Sequence, residues 1–404
     1  MRCASFGSHR YLPYVVIVTL LFLLELTWLV RVHPRGRPVV LLASDATSNA
    51  SLRQLNSGSR PTIPPSHSTP GAPAILVSGP ALTPLGNKRP LLVLHWTQRQ
   101  SAAIGDGVNL RLDENSFSGC PWAGCRGTGD RRLLDSADAV LFHGRLLKVT
   151  DLPPLRRPEQ TFVFVLRESP QSTHLPLKKL DGFFNMTMTY SRNADVVFPY
   201  GQTAVGKQPG ALPFFHRRLR PVAWMVSHCR TVSKREQYVS QLRRHITVDI
   251  FGTCGNQPCP GPRLDCYRYL AETHLFYLSF ENTLCDDYIT EKFWLALEAG
   301  MVPVVRGPSS ESYRRVAPPN SFIHVEDFAG PKALAVYLLS LAQNRTAYEK
   351  YHSWRRSHYV RRPQGLCDLC QQLSVSGHTE AVRLTSVWNA TEQCHEPRDL
   401  GSEA

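Results

Sequence analysis

Leu275-Phe276-Tyr277-Leu278-Ser279-Phe280 runs into Glu281-Asn282, then a polar loop, Cys285-Asp286-Asp287-Tyr288-Ile289, then Thr290-Glu291-Lys292-Phe293-Trp294 and on to Ala299, and finally Val302-Pro303-Val304-Val305 before Gly307. The first and last runs are short, apolar and bounded by turn residues, as strands buried on both faces are. Thr290 to Ala299 has helical spacing. Strand, helix and strand in this order read as a parallel crossover unit. The pattern continues on either side. Val222-Ala223-Trp224-Met225-Val226, the helical stretch Lys234 to Arg243 and Thr247-Val248-Asp249-Ile250-Phe251 precede it; Phe322-Ile323-His324-Val325 and the helix Lys332 to Ala342 follow it. A separate series begins with Leu91-Leu92-Val93-Leu94, Ala139-Val140-Leu141-Phe142 and Thr161-Phe162-Val163-Phe164-Val165-Leu166. Two such series predict an α/β chain of two doubly wound domains facing a cleft, with ligands at the carboxyl ends of the strands.

The chain has 404 residues, 42% of them hydrophobic, which supplies a core for two or three structural units and excludes wholesale disorder. Its net charge of +14 does not come from one basic block. The basic residues recur as separated pairs such as Arg131-Arg132, Arg217-Arg218 and Arg361-Arg362. No zinc-finger spacing, RNA-binding aromatic signature or basic zipper accompanies them, so nucleic acid is not an expected partner. A basic surface that concentrates an anionic ligand fits better.

Tyr11 to Val30 is almost wholly apolar, with Glu25 its one charge and Trp28 near its end. Its length of about 30 Å matches a bilayer core. The span lacks the small-residue cleavage site of a signal peptide, so it reads as a retained single-span anchor. Arginines flank it on both sides and do not set its orientation. Four glycosylation sequons, at Asn49, Asn185, Asn344 and Asn389, and ten of the eleven cysteines lie downstream of it. Both features suit an oxidising lumen. Residues 31–88, rich in Pro, Ser and Thr, read as a tether without a core.

The densest chemistry lies in residues 276–294. Thr290 reads as the N-cap of the following helix, with free backbone N–H groups facing the cleft. Lys292 stands in the first turn, where the helix dipole disfavours a cation. A strong anion such as a pyrophosphate accounts for it; an exposed capped helix with a solvated lysine is the plain alternative. No Gly-x-x-x-x-Gly-Lys, Gly-x-Gly-x-x-Gly or Asp-x-Asp motif occurs, and Asp286-Asp287 are adjacent rather than spaced. No metal site is expected, and cationic side chains would carry the charge of a phosphorylated donor.

This run resembles the donor-binding signature of the α1,3-fucosyltransferases, the inverting GDP-fucose-dependent family. Val226-Ser227, with Arg235 eight residues after the serine and Tyr238 beyond, resembles the family's upstream donor motif. Glu168-Ser169-Pro170, Phe184-Asn185-Met186-Thr187-Met188-Thr189-Tyr190, Asp195 and Pro199-Tyr200-Gly201 resemble its acceptor-domain block, and Cys367-Asp368-Leu369-Cys370 its C-terminal cysteine pair. The insect and plant-like members look most similar. The resemblance covers roughly residues 90–372. It implies a GT-B fold of two Rossmann-like domains and a Golgi enzyme, single-pass type II, with its catalytic region in the lumen. It divides the chain into a tail (1–10), anchor (11–30), stem (31–88), acceptor-side domain (89–205), GDP-fucose-binding domain (206–365) and C-terminal cysteine-containing segment (366–404).

The resemblance also implies roles. Glu168 would be the catalytic base; Arg235 and Lys292 would neutralise the pyrophosphate; Tyr238, Asn282, Tyr288 and Glu291 would complete the donor site. No cofactor is implied, and a divalent metal is expected to be dispensable. The partners would be GDP-fucose, a glycoprotein glycan and a membrane; the sequence sets no oligomeric state. Cys367 and Cys370 would reach back to Cys120 and Cys125; the other lumenal cysteines stay unassigned. The chain departs from the family at His228, where Asn is usual, at Gly144 and Leu146 after His143, and at Arg167 before the key acid. These departures bear on the acceptor, and a protein Ser or Thr acceptor or an inactive sugar-binding protein are the competing readings.

Overall fold

The computed structural model describes residues 89–97, 112–121, 124–212, 215–255, 257–375 and 380–400, all within one unit, Ala81–Ala404. The tail, anchor and stem expected at 1–88, with Asn49, lie outside the described residues. Among the described residues no helix is long and apolar enough to cross a membrane.

The first half carries β1 (Leu91–His95), β2 (Cys125–Thr128), β3 (Ala139–His143), β4 (Thr161–Leu166), β5 (Met186–Thr189) and β6 (Val196–Val197). They form one sheet in the order β2-β1-β3-β4-β5-β6, parallel throughout. β3 is buried along its whole length, as its unbroken apolar run requires. β2, Cys-Arg-Gly-Thr, has an exposed arginine and no run to announce it. The alternation with helices expected here is corrected. Among the described residues from Leu112 to Leu219 the connections are 3-10 turns, including Arg131–Ser136, Gly144–Leu146, Val149–Asp151, Pro170–Ser172 and Leu177–Lys179. Pro153, Pro154, Pro158, Pro170 and Pro176 crowd this stretch, and each removes an N–H that an α-helix interior needs.

β7 (Gln202–Val205) leads into the second half, which contains β8 (Arg220–Met225), β9 (Val248–Phe251), β10 (His274–Phe280), β11 (Val302–Arg306) and β12 (Ile323–His324). Their order is β12-β11-β10-β8-β9, again all parallel. Helices Arg235–Leu242, Arg263–Thr273, Glu291–Ala299 and Pro331–Ala342 connect or follow the strands. The helix Glu291–Ala299 stops at Gly300, whose φ of 89° closes the last turn through N–H bonds to Ala296 and Leu297. β13 (His358–Arg361) returns to pair antiparallel with β7.

The halves share an apolar seam. Phe142, Phe164 and Tyr200 of the first pack in one cluster with Tyr288, Phe293 and Trp294 of the second. Gly201 makes the closest approach: a Cβ there would lie 2.4 Å from Trp294 ring atoms. The Pro199-Tyr200-Gly201 motif thus has a packing reason. Helix Gly365–Val375 crosses back to the first half, where Leu369 and Cys370 join the core of Val163 and Met186. Cys120–Cys367 and Cys125–Cys370 bridge it there, the partners that the family resemblance implies. Cys229–Cys254, Cys259–Cys266 and Cys285–Cys394 pair the remaining cysteines among the described residues.

Candidate active site

A cavity of about 430 Å³ opens between the carboxyl end of β4 and those of β8 and β10, lined among others by Glu168, Tyr200, Ser227, Arg235, Asn282, Tyr288, Glu291 and Lys292. β8 and β10 are neighbours whose onward connections run to opposite edges of the sheet. Such a reversal point leaves a crevice beyond the strand ends.

Glu168 follows β4 by two residues. Its Oε1 accepts from Arg145 Nη1 at 3.2 Å and its Oε2 from the Tyr288 hydroxyl at 3.2 Å. Its side chain remains 14% exposed. The backbone before it is fixed from the other side: Tyr200 donates its hydroxyl to the Arg167 carbonyl at 2.7 Å. Arg167, the unusual residue before this acid, lies over the rings of Tyr200 and Phe198 at 4.3 and 4.5 Å. Burial, then the proximity of Tyr200 and Glu168, holds the Tyr288 phenol well above its ordinary pKa. Tyr288 therefore stays protonated and donates to Glu168.

Arg235 opens its helix and is 4% exposed. Its Nη1 donates to the Phe280 carbonyl at 2.7 Å and its Nη2 to the His228 carbonyl at 3.2 Å, while Nε has no partner. Burial lowers its pKa, against the attraction of Glu281. No ion pair with a carboxylate forms among the described residues. A buried, incompletely satisfied guanidinium on a cavity wall is suited to an incoming anion. Asn282 Oδ1 is also buried without a partner.

Lys292 is placed differently from the expectation. Its Nζ donates to Glu281 Oε2 at 2.9 Å and to Thr290 Oγ1 at 2.7 Å. Glu281 is fully buried and also accepts from the Thr290 N–H at 2.8 Å and from the Thr290 hydroxyl at 2.9 Å. The anions that explain a lysine in this first turn are therefore Glu281 and, at 3.8 Å, Glu291. One of the three ammonium donors is left for a ligand. Burial raises the Glu281 pKa, with Lys292 opposing. Thr290 occupies the N-cap position without a side-chain cap bond, because its hydroxyl is committed to Glu281. Glu291 pairs with Arg263 at 2.9 Å. Burial works to raise its carboxyl, and Lys292 and Arg263 outweigh that effect, so it lies below its ordinary pKa.

Six of the seven expected catalytic and donor residues thus line one cavity. Tyr238 does not. It is wholly buried in the core of the second sheet, against Phe280 and beneath Arg306. It lies one turn beyond Arg235 on the same face of the helix, in the sheet core and beyond the cavity lining. Glu281 is the residue that sequence reading missed. An acid directly after an apolar strand gives no sign of whether it faces solvent or the core.

The sequons are corrected at one position. Asn185 is 8% exposed, and its Oδ1 accepts from the Phe162 N–H and from Arg156, so it has no room for a glycan. Asn344 is exposed and Asn389 half-buried, each at a helix N-cap.

Residues 88–201 match the fucosyltransferase N-terminal domain, and residues 215–388 match the C-terminal domain of glycosyltransferase family 10 (fucosyltransferase). A 3-galactosyl-N-acetylglucosaminide 4-alpha-L-fucosyltransferase of Bos taurus is 38% identical over 74% of this chain and 82% of its own. Alpha-(1,3)-fucosyltransferase 7 of Rattus norvegicus is 37% identical over 66% and 69%. Alpha-(1,3)-fucosyltransferase C of Drosophila melanogaster is 35% identical over 63% and 65%. Vertebrate and insect relatives therefore stand at similar distance. The chain belongs to glycosyltransferase family 10 and is a fucosyltransferase.

Proposed function

We propose that the enzyme transfers L-fucose from GDP-β-L-fucose in α1,3 linkage to N-acetylglucosamine of glycoprotein glycans, by a single inverting displacement, in the Golgi lumen behind a single-span type II anchor. One observation carries this reading: Glu168 lines the same cavity as Arg235, a buried cation that forms no ion pair with a carboxylate among the described residues. Two of the relatives are named for α1,3 transfer, which supports the linkage, and the Bos taurus relative, named for a 4-alpha transfer to a galactosyl-N-acetylglucosaminide, supports the acceptor sugar. Glu168 takes the proton of the incoming hydroxyl on the face opposite the leaving GDP. The leaving phosphate gains charge as its bond to the sugar breaks. Arg235 and the remaining Lys292 donor stabilise that charge more in the transition state than before it. Asn282, Tyr288 and Glu291 line the space left for the donor's nucleotide and sugar.

The test is the purified lumenal region given GDP-fucose and a panel of N-glycans and Ser/Thr peptides, with products read by mass spectrometry and linkage by NMR. The expected product is an α1,3-linked fucose on GlcNAc, formed equally well in EDTA. Fucose on peptide hydroxyls, a retained anomeric configuration, or activity that only manganese restores would overturn the corresponding part.

A further inference from the structure

Residues 380–400 form a strap over both halves. At its start, Val382 bridges Phe184: its N–H donates to the Phe184 carbonyl at 2.7 Å, and its carbonyl accepts from the Gly182 N–H at 3.0 Å. Thr385 donates its N–H and hydroxyl to Asp181 at 2.9 and 2.6 Å, and the Trp388 indole donates to Thr173 at 3.0 Å. These anchors all lie in the first half. The strap then crosses to the second. Cys394 is bonded to Cys285, the Gln393 carbonyl accepts from the Asp286 N–H at 2.8 Å, and His395 donates its N–H to the Leu284 carbonyl at 2.9 Å. Near its end, Asp399 takes a two-pronged ion pair, at 2.6 and 2.7 Å, from Arg306 at the end of β11. Arg306 is 1% exposed, and its remaining Nη1 donates to the Ser233 carbonyl at 2.7 Å.

The two loops tied in this way carry cavity residues. Ser233 stands two residues before Arg235, and Cys285 and Asp286 directly precede Asp287-Tyr288. Among the described residues three non-glycines have positive φ: Lys234 (50°), Asp287 (57°) and Asn320 (53°). Two of these three immediately precede Arg235 and Tyr288. Left-handed backbone at such residues persists only where the surroundings fix it. The strap holds Cys285 and Asp286 directly and reaches the Ser233 carbonyl through Arg306, while Ser233 is also bonded to the Glu281 and Asn282 carbonyls at 2.7 and 3.2 Å. We infer that the strap is a clamp that holds Arg235 and Tyr288 in place, with Asp399 a positioning residue acting through Arg306 and the Ser233 carbonyl. The consequence for donor binding rests on the proposed function.

The test compares the wild-type lumenal region with Asp399→Asn and Asp399→Glu. GDP affinity is read by calorimetry, and amide exchange of residues 228–236 and 284–288 by mass spectrometry. Asp399→Asn should speed exchange in the first loop and weaken GDP about tenfold, the size of one loosened charge-assisted bond, with thermal unfolding still cooperative. Asp399→Glu, which keeps the charge, should restore part of the affinity. In an Arg235→Gln background the same change should cost GDP affinity little more, because the group being positioned is gone. A folded Asp399→Asn enzyme with wild-type exchange and GDP affinity overturns the clamp, as does an equal loss in both backgrounds. If Asp399→Asn does not fold, Arg306→Lys decides by the same two readings, since lysine keeps the charge but lacks the fork to reach both Asp399 and Ser233. Wild-type enzyme that binds no GDP would sink the donor reading instead, and the exchange data would still judge the clamp.

Discussion

At the end of β4, Glu168 is held by two contacts of 3.2 Å, one of them from the half-exposed Arg145. At the end of β10, Glu281 is wholly buried and accepts from Thr290 and Lys292 at 2.8 to 2.9 Å. Both are acids that follow a central apolar strand of a parallel sheet, and both stand beside the same cleft. The first is loosely held and open to a substrate, as a group that must take up a proton has to be. The second spends its lone pairs on the start of the Glu291–Ala299 helix, and so fixes Thr290 and Lys292 on the other wall. One wall presents chemistry and the other presents a rigid frame.

The largest expected effect tests the open wall. Glu168→Gln keeps the size and the contact with Arg145 but cannot accept a proton, and general-base catalysis is worth about a hundred- to ten-thousandfold. Turnover should fall by that much while calorimetric GDP affinity stays near wild type. Lost GDP binding, or undiminished transfer, would break the comparison at its first member.

The next effect tests the frame. Lys292→Ala leaves a buried carboxylate without its cation, a loss of about 3–5 kcal/mol in comparable buried pairs. Its chemical-denaturation midpoint should drop clearly. Adding Glu281→Gln removes the stranded charge and should return most of the stability, but not the GDP affinity, because the Lys292 ammonium is still missing. Recovery of both would mean that Lys292 serves the frame alone.

A smaller effect distinguishes Glu281 by pH. Burial raises its folded pKa above the unfolded value. Its contribution to stability is therefore full below the unfolded carboxylate range, near 4.3, and is lost as pH rises through the folded value. Denaturation midpoints of wild type relative to Glu281→Gln should thus improve as pH falls from neutrality toward that range, then level off. A difference that is flat with pH would place the Glu281 carboxyl in water and not in the frame.

How much of this was legible in the sequence follows from the same two acids. The unbroken apolar runs of β3, β4, β10 and β11 announce themselves because both faces of a parallel strand are buried. β2 and β7 carry no such run, and β13 pairs with β7 across about 150 residues. The family motif led to Glu168, Arg235, Asn282, Tyr288, Glu291 and Lys292, which the fold gathers. Tyr238 belongs to the same motif but packs in the sheet core, because a place in a motif does not say whether a side chain faces the ligand or the core. Glu281 stayed hidden because burial is a property of the whole sheet. A lysine is out of place in a first turn, and the anions it answers lie in its own chain: Glu281, eleven residues upstream, and the adjacent Glu291.

The smallest effect concerns the contact that joins the two walls. Tyr288 rises from the frame, its ring packed between Tyr190 and Tyr200 at centroid distances of 5.1 and 6.4 Å, and its hydroxyl reaches Glu168. Tyr288→Phe keeps the ring and its packing and removes one hydrogen bond, worth about 0.5–1.5 kcal/mol net, or about two- to tenfold. Glu168 is still partly exposed, so water can take the vacated place and the loss should stay at the low end. The split between kinetic constants carries the information. If the hydroxyl serves to hold Glu168, kcat falls a few-fold while the KM for GDP-fucose and the GDP affinity hold. If it serves the donor, as the family motif implies, KM rises and kcat holds. A fall as deep as that of Glu168→Gln would mean that the phenol itself handles the proton, and the division between an open wall and a rigid one would fail at the residue that belongs to both.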